Sequence, residues 1–308
     1  MGSTEKILVI GATGGLGRHV VAAGVSCGCP TYAFVRPQTV DSDPAKAALL
    51  RSFESSGANI LEGSLEDYDS LLAAVKQVDI VISCLNLDNH ASELKILKAI
   101  QEADAVKRLV FIDFVAAQDI ELYGLLKSIS EPRKKVIAAV IQSGVPFTRI
   151  MTYGFASYYL ASLGQLNSRS PPSEKVIIAA TGDVKAYMVA EEDIGMYTVK
   201  ASLDPRAENK NVHLRLPKNH LSQHEMVSLW ESKSGKPLER LYESEEELSK
   251  SFEDAGWASF PKLLKHFAFV KGGHNGSLKR ESGDVEVMEL YPDFDYISAD
   301  QYLNRFLL

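Results

Sequence analysis

A chain of 308 residues with ordinary apolar and charged fractions can bury a substantial core, as one large domain or two smaller ones. Its formal net charge of −7 argues against a general role on nucleic acid or anionic membranes. No apolar run is long enough to span a bilayer, and "MGSTEKILVIGATGG" leads into a strand and a glycine turn without a separate signal segment.

In chain order, "KILVI" is a short apolar run, followed by a glycine turn and the helical "GRHVVAAGVSCG". "TYAFV", "VDIVISCL" and "VKRLVFIDF" read as further strands, with helical segments such as "SLLAAVKQ" and "ASELKILKAIQEAD" between them. This rhythm predicts right-handed βαβ units, an α/β fold with a Rossmann-type doubly wound parallel sheet covered on both faces. From about Gly154 the pattern loosens: a loop "SRSPPSEK", strands "KVIIAA" and "NVHLRL", helices "EEDIGMYTVKAS" and "SQHEMVSLWESKSG". The expected division is therefore residues 1–153 as a dinucleotide-binding domain and 154–308 as a smaller α/β substrate-binding portion, interleaved with the first. The three cysteines, Cys27, Cys29 and Cys84, show no metal-like pairing and are expected to be reduced thiols.

"GATGGLG" follows the first strand and opens the first helix. Gly11 lets the chain turn tightly, Gly14 lets backbone approach a pyrophosphate, and Gly17 lets helix and strand pack closely. Thr13, Gly15 and Leu16 complete the loop, whose helix N-terminus offers N–H groups to phosphate. The second strand ends in Arg36, where an NAD enzyme usually has an acidic residue. A guanidinium suits a 2′-phosphate, so the expected cofactor is NADP(H). Lys46 is either a second cation for that phosphate or part of a solvated helix face.

"SISEPRKKVIAAVIQSGVPF" places Arg133, Lys134 and Lys135 side by side. With Ser130 as N-cap, Pro132 in the first turn and Gly144 as the stop, a helix turned about 100° per residue puts Val136, Ile137, Val140 and Ile141 on one stripe. Arg133 falls on the centre line of that stripe, Lys134 at its edge and Lys135 opposite. Arg133 then points inward at the strands' carboxyl ends, toward a ligand or toward an ion pair with Asp113 or Glu131. His213, His220 and His224 invite a metal reading, but Ser222 and Glu225 form a capping box, so His220 precedes a helix that contains His224, and no metal is expected.

The segments "GATGGLG", "YAFVRP", "SDPAKAALLRSFESSGANILEGSLEDYDSLLAAVKQVDIVIS", "EADAVKRL", "EEDIGMYTVKASLDPRAENK", "LPKNHLSQHEMVSLWESKSGKPLER" and "ELYPDFDYISADQYLNRF" resemble the plant isoflavone reductase-like family of NmrA-like atypical short-chain dehydrogenases. That family includes pinoresinol–lariciresinol reductases, phenylcoumaran benzylic ether reductases and eugenol synthases. The resemblance covers nearly the whole chain. It implies a Rossmann NADPH domain, a smaller substrate domain, a cytoplasmic enzyme of plant specialised metabolism, and 2′-phosphate roles for Arg36 and Lys46.

The departures bear on the reaction. Counted back from "GVPFT", the family's catalytic lysine falls on Arg133, and an arginine stays charged and cannot serve as a general base at ordinary pH. The family's "PSEFG" is "FIDFV" here, Phe111 to Val115, and the asparagine of its "NCFAGYF" is Tyr153. Phe155 is retained, at the position that packs near the nicotinamide. The expectation is an enzyme that has left reduction behind. It would direct cyclisation or isomerisation of a reactive carbonyl or enol, for example as an iridoid-type terpenoid cyclase, with Arg133 and Tyr153 catalytic and Asp113, Phe155 and Lys134 against the substrate. NADP(H) would then be structural or vestigial. The alternative is an NADPH-dependent reductase of a phenylpropanoid, lignan or isoflavonoid, with Arg133 or Lys134 taking over the lysine's role. A second alternative is an NADP(H)-sensing regulatory protein. The expected partner is a small-molecule substrate, without nucleic acid or membrane, a homodimer being allowed.

Overall fold

The computed structural model describes residues 4–37, 43–86, 89, 92–113, 122–252, 256–276 and 283–307. The chain divides into two compact units, each assembled from separate stretches. The first comprises Met1–Ile112, Ile129–Ile150 and Glu192–Val212; the second comprises Asp113–Ser128, Met151–Glu191 and His213–Leu308.

In the first unit β1 (Ile7–Ile10), β2 (Thr31–Val35), β3 (Asn59–Glu62), β4 (Ile80–Ser83) and β5 (Arg108–Asp113) alternate with α1 (Gly17–Ser26), α2 (Pro44–Ser56), α3 (Tyr68–Val75) and α4 (Glu93–Ala103). The strands lie in the order β5-β4-β1-β2-β3 within an eight-stranded sheet, and each neighbouring pair among them is parallel. β1 and β4 are buried along their whole length, as a sheet covered on both faces requires. The strand order reverses beside β1, so its carboxyl end and that of β4 frame the place where open α/β sheets take ligands. β3 was not among the expected strands. Its residues "NILE" are partly or fully exposed, and such an edge strand carries little apolar signal.

α5 (Gly124–Ser143) is longer than the expected helix and carries Pro132 in its interior instead of its first turn. Leu126 and Ile129 are both buried, and their packing carries the helix through a position where proline removes one backbone donor. Gly144 follows with φ +72°, a left-handed stop that favours glycine. The wheel reading holds for Arg133, Val136 and Val140, which are buried, and for Lys135, which is exposed; Lys134, placed at the stripe's edge, is exposed as well. It fails for Ile141, which is 59% exposed. The apolar stripe is narrower than four residues.

The second unit contains β7 (Gly154–Phe155), which pairs in parallel with β9 (Ala186–Val189); β11 (His220–Leu221) pairs antiparallel with the other edge of β9. β8 (Lys175–Ala179) and β12 (Glu239–Glu243) form a separate parallel pair. A core of Tyr159, Ile178, Met226, Phe269 and Leu303 lies among them. The helix Gln223–Ser234 starts with the predicted capping box of Ser222 and Glu225. Among the described residues, no helix is long and apolar enough to cross a membrane.

Candidate functional site

The glycine loop sits at the carboxyl end of β1. Gly11 has φ +81°, and a Cβ there would lie 2.7 Å from the carbonyl oxygen of Cys84, the residue after β4. A Cβ on Gly17 would lie 2.1 Å from the Gly11 oxygen. Backbone approaches at both places exclude any side chain. By contrast, a Cβ on Gly15 would meet nothing within 4 Å, so the loop is open where Gly15 lies. The turn is closed by Gly14 N–H donating to Gly11 O at 3.0 Å. Thr13 and Leu16 lie in the same loop and are partly buried. The first turn of α1 carries no acidic residue, which leaves its N-terminal field free for an anion. These features fit a dinucleotide pyrophosphate: a tight turn, an unobstructed backbone and a helix start.

Arg36 is exposed immediately after β2. Lys46 lies in the first turn of α2, 3.4 Å from the Asp43 carboxylate that caps that helix. Asp43 accepts from the backbone N–H groups of Ala45 and Lys46, and these bonds lower its pKa despite its exposure.

Arg133 is buried, as its place on the helix predicts, and it pairs with Glu93, which the helix reading did not name. Its Nη1 pairs with Glu93 Oε2, and its Nη2 donates to the Ile112 carbonyl at 2.9 Å. Ser83 Oγ donates to the other carboxylate oxygen of Glu93 at 2.7 Å. The guanidinium carbon stands 4.9 Å from the centre of the Phe111 ring. Thus β4 supplies Ser83, β5 supplies Phe111 and Ile112, and α4 and α5 supply the ion pair. Glu93 lies 40 residues from Arg133, and helix spacing carries no sign of that contact. Lys134 pairs with Glu131 at 3.0 Å on the exposed side of the same helix.

The second unit holds Asp113, Tyr153 and Phe155. Asp113 is buried, and its carbonyl accepts from Thr152 N–H at 2.9 Å. The Phe114–Val115 end of "FIDFV" lies outside the described residues. Tyr153 is 1% exposed and has φ +58°, a left-handed conformation that is costly for a bulky side chain. Its hydroxyl lies 2.8 Å from His213 Nδ1 and accepts from Arg215 Nε at 2.9 Å. His213 Nε2 lies 2.9 Å from Asp284 Oδ2. Burial raises the Tyr153 pKa, against the opposing pull of Arg215. Phe155 follows on β7 with its ring 6.4 Å from that of Tyr158. His220 stacks on Tyr187 at 4.0 Å, and His224 Nε2 lies 2.9 Å from the Thr181 carbonyl oxygen. The three histidines thus take three separate sets of neighbours. Among the described residues no group of three or more His, Cys, Asp or Glu side chains is arranged to hold a metal.

Residues 3–303 match the NmrA-like family model. The chain is 43% identical over 309 residues to the phenylcoumaran benzylic ether reductase PT1 of Pinus taeda, covering 100% of both chains. A solved chain from the crystal structures of pinoresinol-lariciresinol and phenylcoumaran benzylic ether reductases superposes with a TM-score of 0.93 at 32% identity, covering 99% of this chain and 100% of that one. The structure of AtPrR2 with NADP+ and (+)pinoresinol superposes at 0.89 with 34% identity, covering 100% of both. These relatives overturn the expected cyclase or isomerase, including the iridoid-type example: they are reductases, matched from end to end. The expectation took one residue's inability to shuttle protons for a change of reaction class. Arg133 is engaged by Glu93 and the Ile112 carbonyl, and that local pairing carries no information about whether a hydride is transferred.

Proposed function

The chain belongs to the NmrA-like family, and from that premise we propose that it is an NADPH-dependent reductase of a phenylpropanoid, lignan or isoflavonoid small molecule. The observation that carries this reading is the intact glycine loop, with backbone crowding at Gly11 and Gly17 and open space at Gly15. NADPH, when bound, supplies the hydride. The N–H groups of the Gly11–Gly17 loop would hold its pyrophosphate, and Arg36 with Lys46 its 2′-phosphate. Phe155 would present an apolar wall to the nicotinamide. Asp113 remains a candidate for the substrate end, whereas Lys134 on the exposed side of α5 is not.

Arg133 has a different part in this reading from a lysine at the same place. Its charge is permanent, and Glu93 and the Ile112 carbonyl fix its orientation. Paired with Glu93, it fixes the Ile112 carbonyl at the carboxyl end of β5. The proton that follows the hydride comes from another group. The test is NADPH oxidation followed by absorbance while product is separated, with phenylcoumaran, lignan, isoflavone and simple phenylpropanoid substrates. One NADPH consumed per product supports the reductase. Product formed without NADPH oxidation would refute it.

A further inference from the structure

The network around Tyr153 is an expensive arrangement for a mere core. Asp284, His213, Arg215, Glu286 and Tyr153 bring four ionisable partners to one buried phenol, where a well-packed apolar cluster would be at least as stable. With the His213 ring neutral, the bonds take one sense. Asp284 accepts from the His213 Nε2–H, which leaves Nδ1 as an acceptor. Tyr153 therefore donates its only proton to His213 and accepts from Arg215. Arg215 is held in turn by the Gly276 carbonyl at 2.8 Å and by Glu286 at 3.5 Å. In that arrangement the phenol has no second proton to offer a substrate.

The same residue bears a backbone strain. Its neighbours are pinned on either side: Thr152 to the Asp113 carbonyl, Gly154 and Phe155 to β9, and Ser157 to the Glu191 carboxylate. Tyr153 at φ +58° turns the chain between those anchors. A Cβ on Gly154 would lie 3.0 Å from both the Tyr187 carbonyl oxygen and the Tyr159 ring, so the turn has little room to relax. A left-handed tyrosine persists only where its side chain is over-determined, and here His213 and Arg215 both bond its hydroxyl.

We propose that Asp284, His213 and Arg215 are positioning residues which, through the Tyr153 hydroxyl, hold the strained turn that sets Phe155. The proposal rests on the reductase reading for its effect on turnover, because Phe155 is the wall assigned to the nicotinamide there. Its effect on the backbone is independent of that reading.

The experiment compares Tyr153→Phe, His213→Ala, their double variant and His213→Asn. It measures steady-state NADPH oxidation and amide hydrogen exchange over residues 153–159. His213→Ala should lower kcat about tenfold, the effect of one buried hydrogen bond, and Tyr153→Phe, which removes both bonds of the hydroxyl, at least as much, with KM for NADPH changed less than about twofold. The double variant should lose no more than Tyr153→Phe alone, because the His213 link is already open there. His213→Asn, which keeps an acceptor near the Nδ1 position, should restore most of kcat. Exchange over 153–159 should quicken about tenfold in the first three variants and return in the fourth. Unchanged exchange would overturn the proposal whatever the enzyme reduces. Faster exchange with unchanged kcat would also overturn it, leaving the network a structural brace. If the unaltered protein turns over none of the substrates, the reductase reading fails by itself and the exchange result still decides whether the turn is held.

Discussion

Replacing Arg133 by Met should unfold the first unit far more easily, and replacing Glu93 as well should restore much of the loss. Both side chains are 5% exposed, and Glu93 also accepts from the Ser83 hydroxyl. Breaking one partner of such a pair leaves a buried carboxylate uncompensated and costs about 3–5 kcal/mol. In Arg133→Met with Glu93→Leu neither charge of that pair remains. What persists is an Ile112 carbonyl without its Nη2 donor and a Ser83 hydroxyl without its acceptor, together about 1–3 kcal/mol. The sequence offers separate probes. Cys27, Cys29 and Cys84 lie in the first unit, and both tryptophans, Trp230 and Trp257, in the second. Thiol labelling against urea concentration should shift strongly for the single variant and much less for the double one. The tryptophan signal gives the second unit's response in the same samples. Acidifying toward pH 4 lets the orphaned carboxyl take up a proton, so the single variant's deficit should shrink there. A single-variant loss below about 1 kcal/mol, or a double variant at least as unstable as the single, would refute the account of Arg133 as a buried, paired cation.

Arg36→Ala should weaken NADPH binding by about 1.5–3 kcal/mol in calorimetry and leave NADH nearly unchanged; equal losses for both would remove Arg36 from the 2′-phosphate. Lys135→Ala should alter urea midpoint and turnover little, since Lys135 is exposed opposite the buried stripe; a large loss would show a contact absent from this structure. His274 is buried and its pKa is pushed down to about 3 by desolvation, so the folded state holds it neutral while the unfolded chain takes up a proton below about 6.5. Its contribution is complete above pH 6.5 and falls by up to about 1.4 kcal/mol per pH unit as pH drops toward 3. His274→Phe, measured by urea unfolding between pH 7 and 4, should flatten that slope; an unchanged slope would place the acid sensitivity elsewhere.

The βαβ rhythm and the glycine loop were legible because both are local: an apolar run, a turn that admits only glycine, and a helix follow within twenty residues. The direction of Arg133 was legible for the same reason, since Val136 and Val140 mark the buried face one turn away. Its partner was not, because Glu93 reaches it only through the packing of α4 against the strand ends. The start of α5 was misread because Pro132 resembles a first-turn proline, while the buried Leu126 and Ile129 upstream override that preference. Tyr153 stood out as a departure, but His213 and Asp284 lie 60 and 71 residues along successive links of its network. No spacing rule connects them. His213 drew notice only as part of a histidine cluster that the fold disperses.

The division of the first unit into three stretches limits how this protein can be recombined with its relatives. Arg108, in the first stretch, donates to the carbonyls of Ala201 and Asp204 and pairs with Glu208 at 2.7 Å, all in the third. Gly195, also in the third, lies where a Cβ would come within 2.6 Å of the His19 carbonyl oxygen. A chimera with one crossover near residue 150 would therefore inherit Arg108 and His19 from one parent and their counterparts from the other. Swapping substrate preference between homologues calls for a mosaic in which residues 192–212 travel with the amino-terminal parent, so that the graft boundaries follow contacts in space.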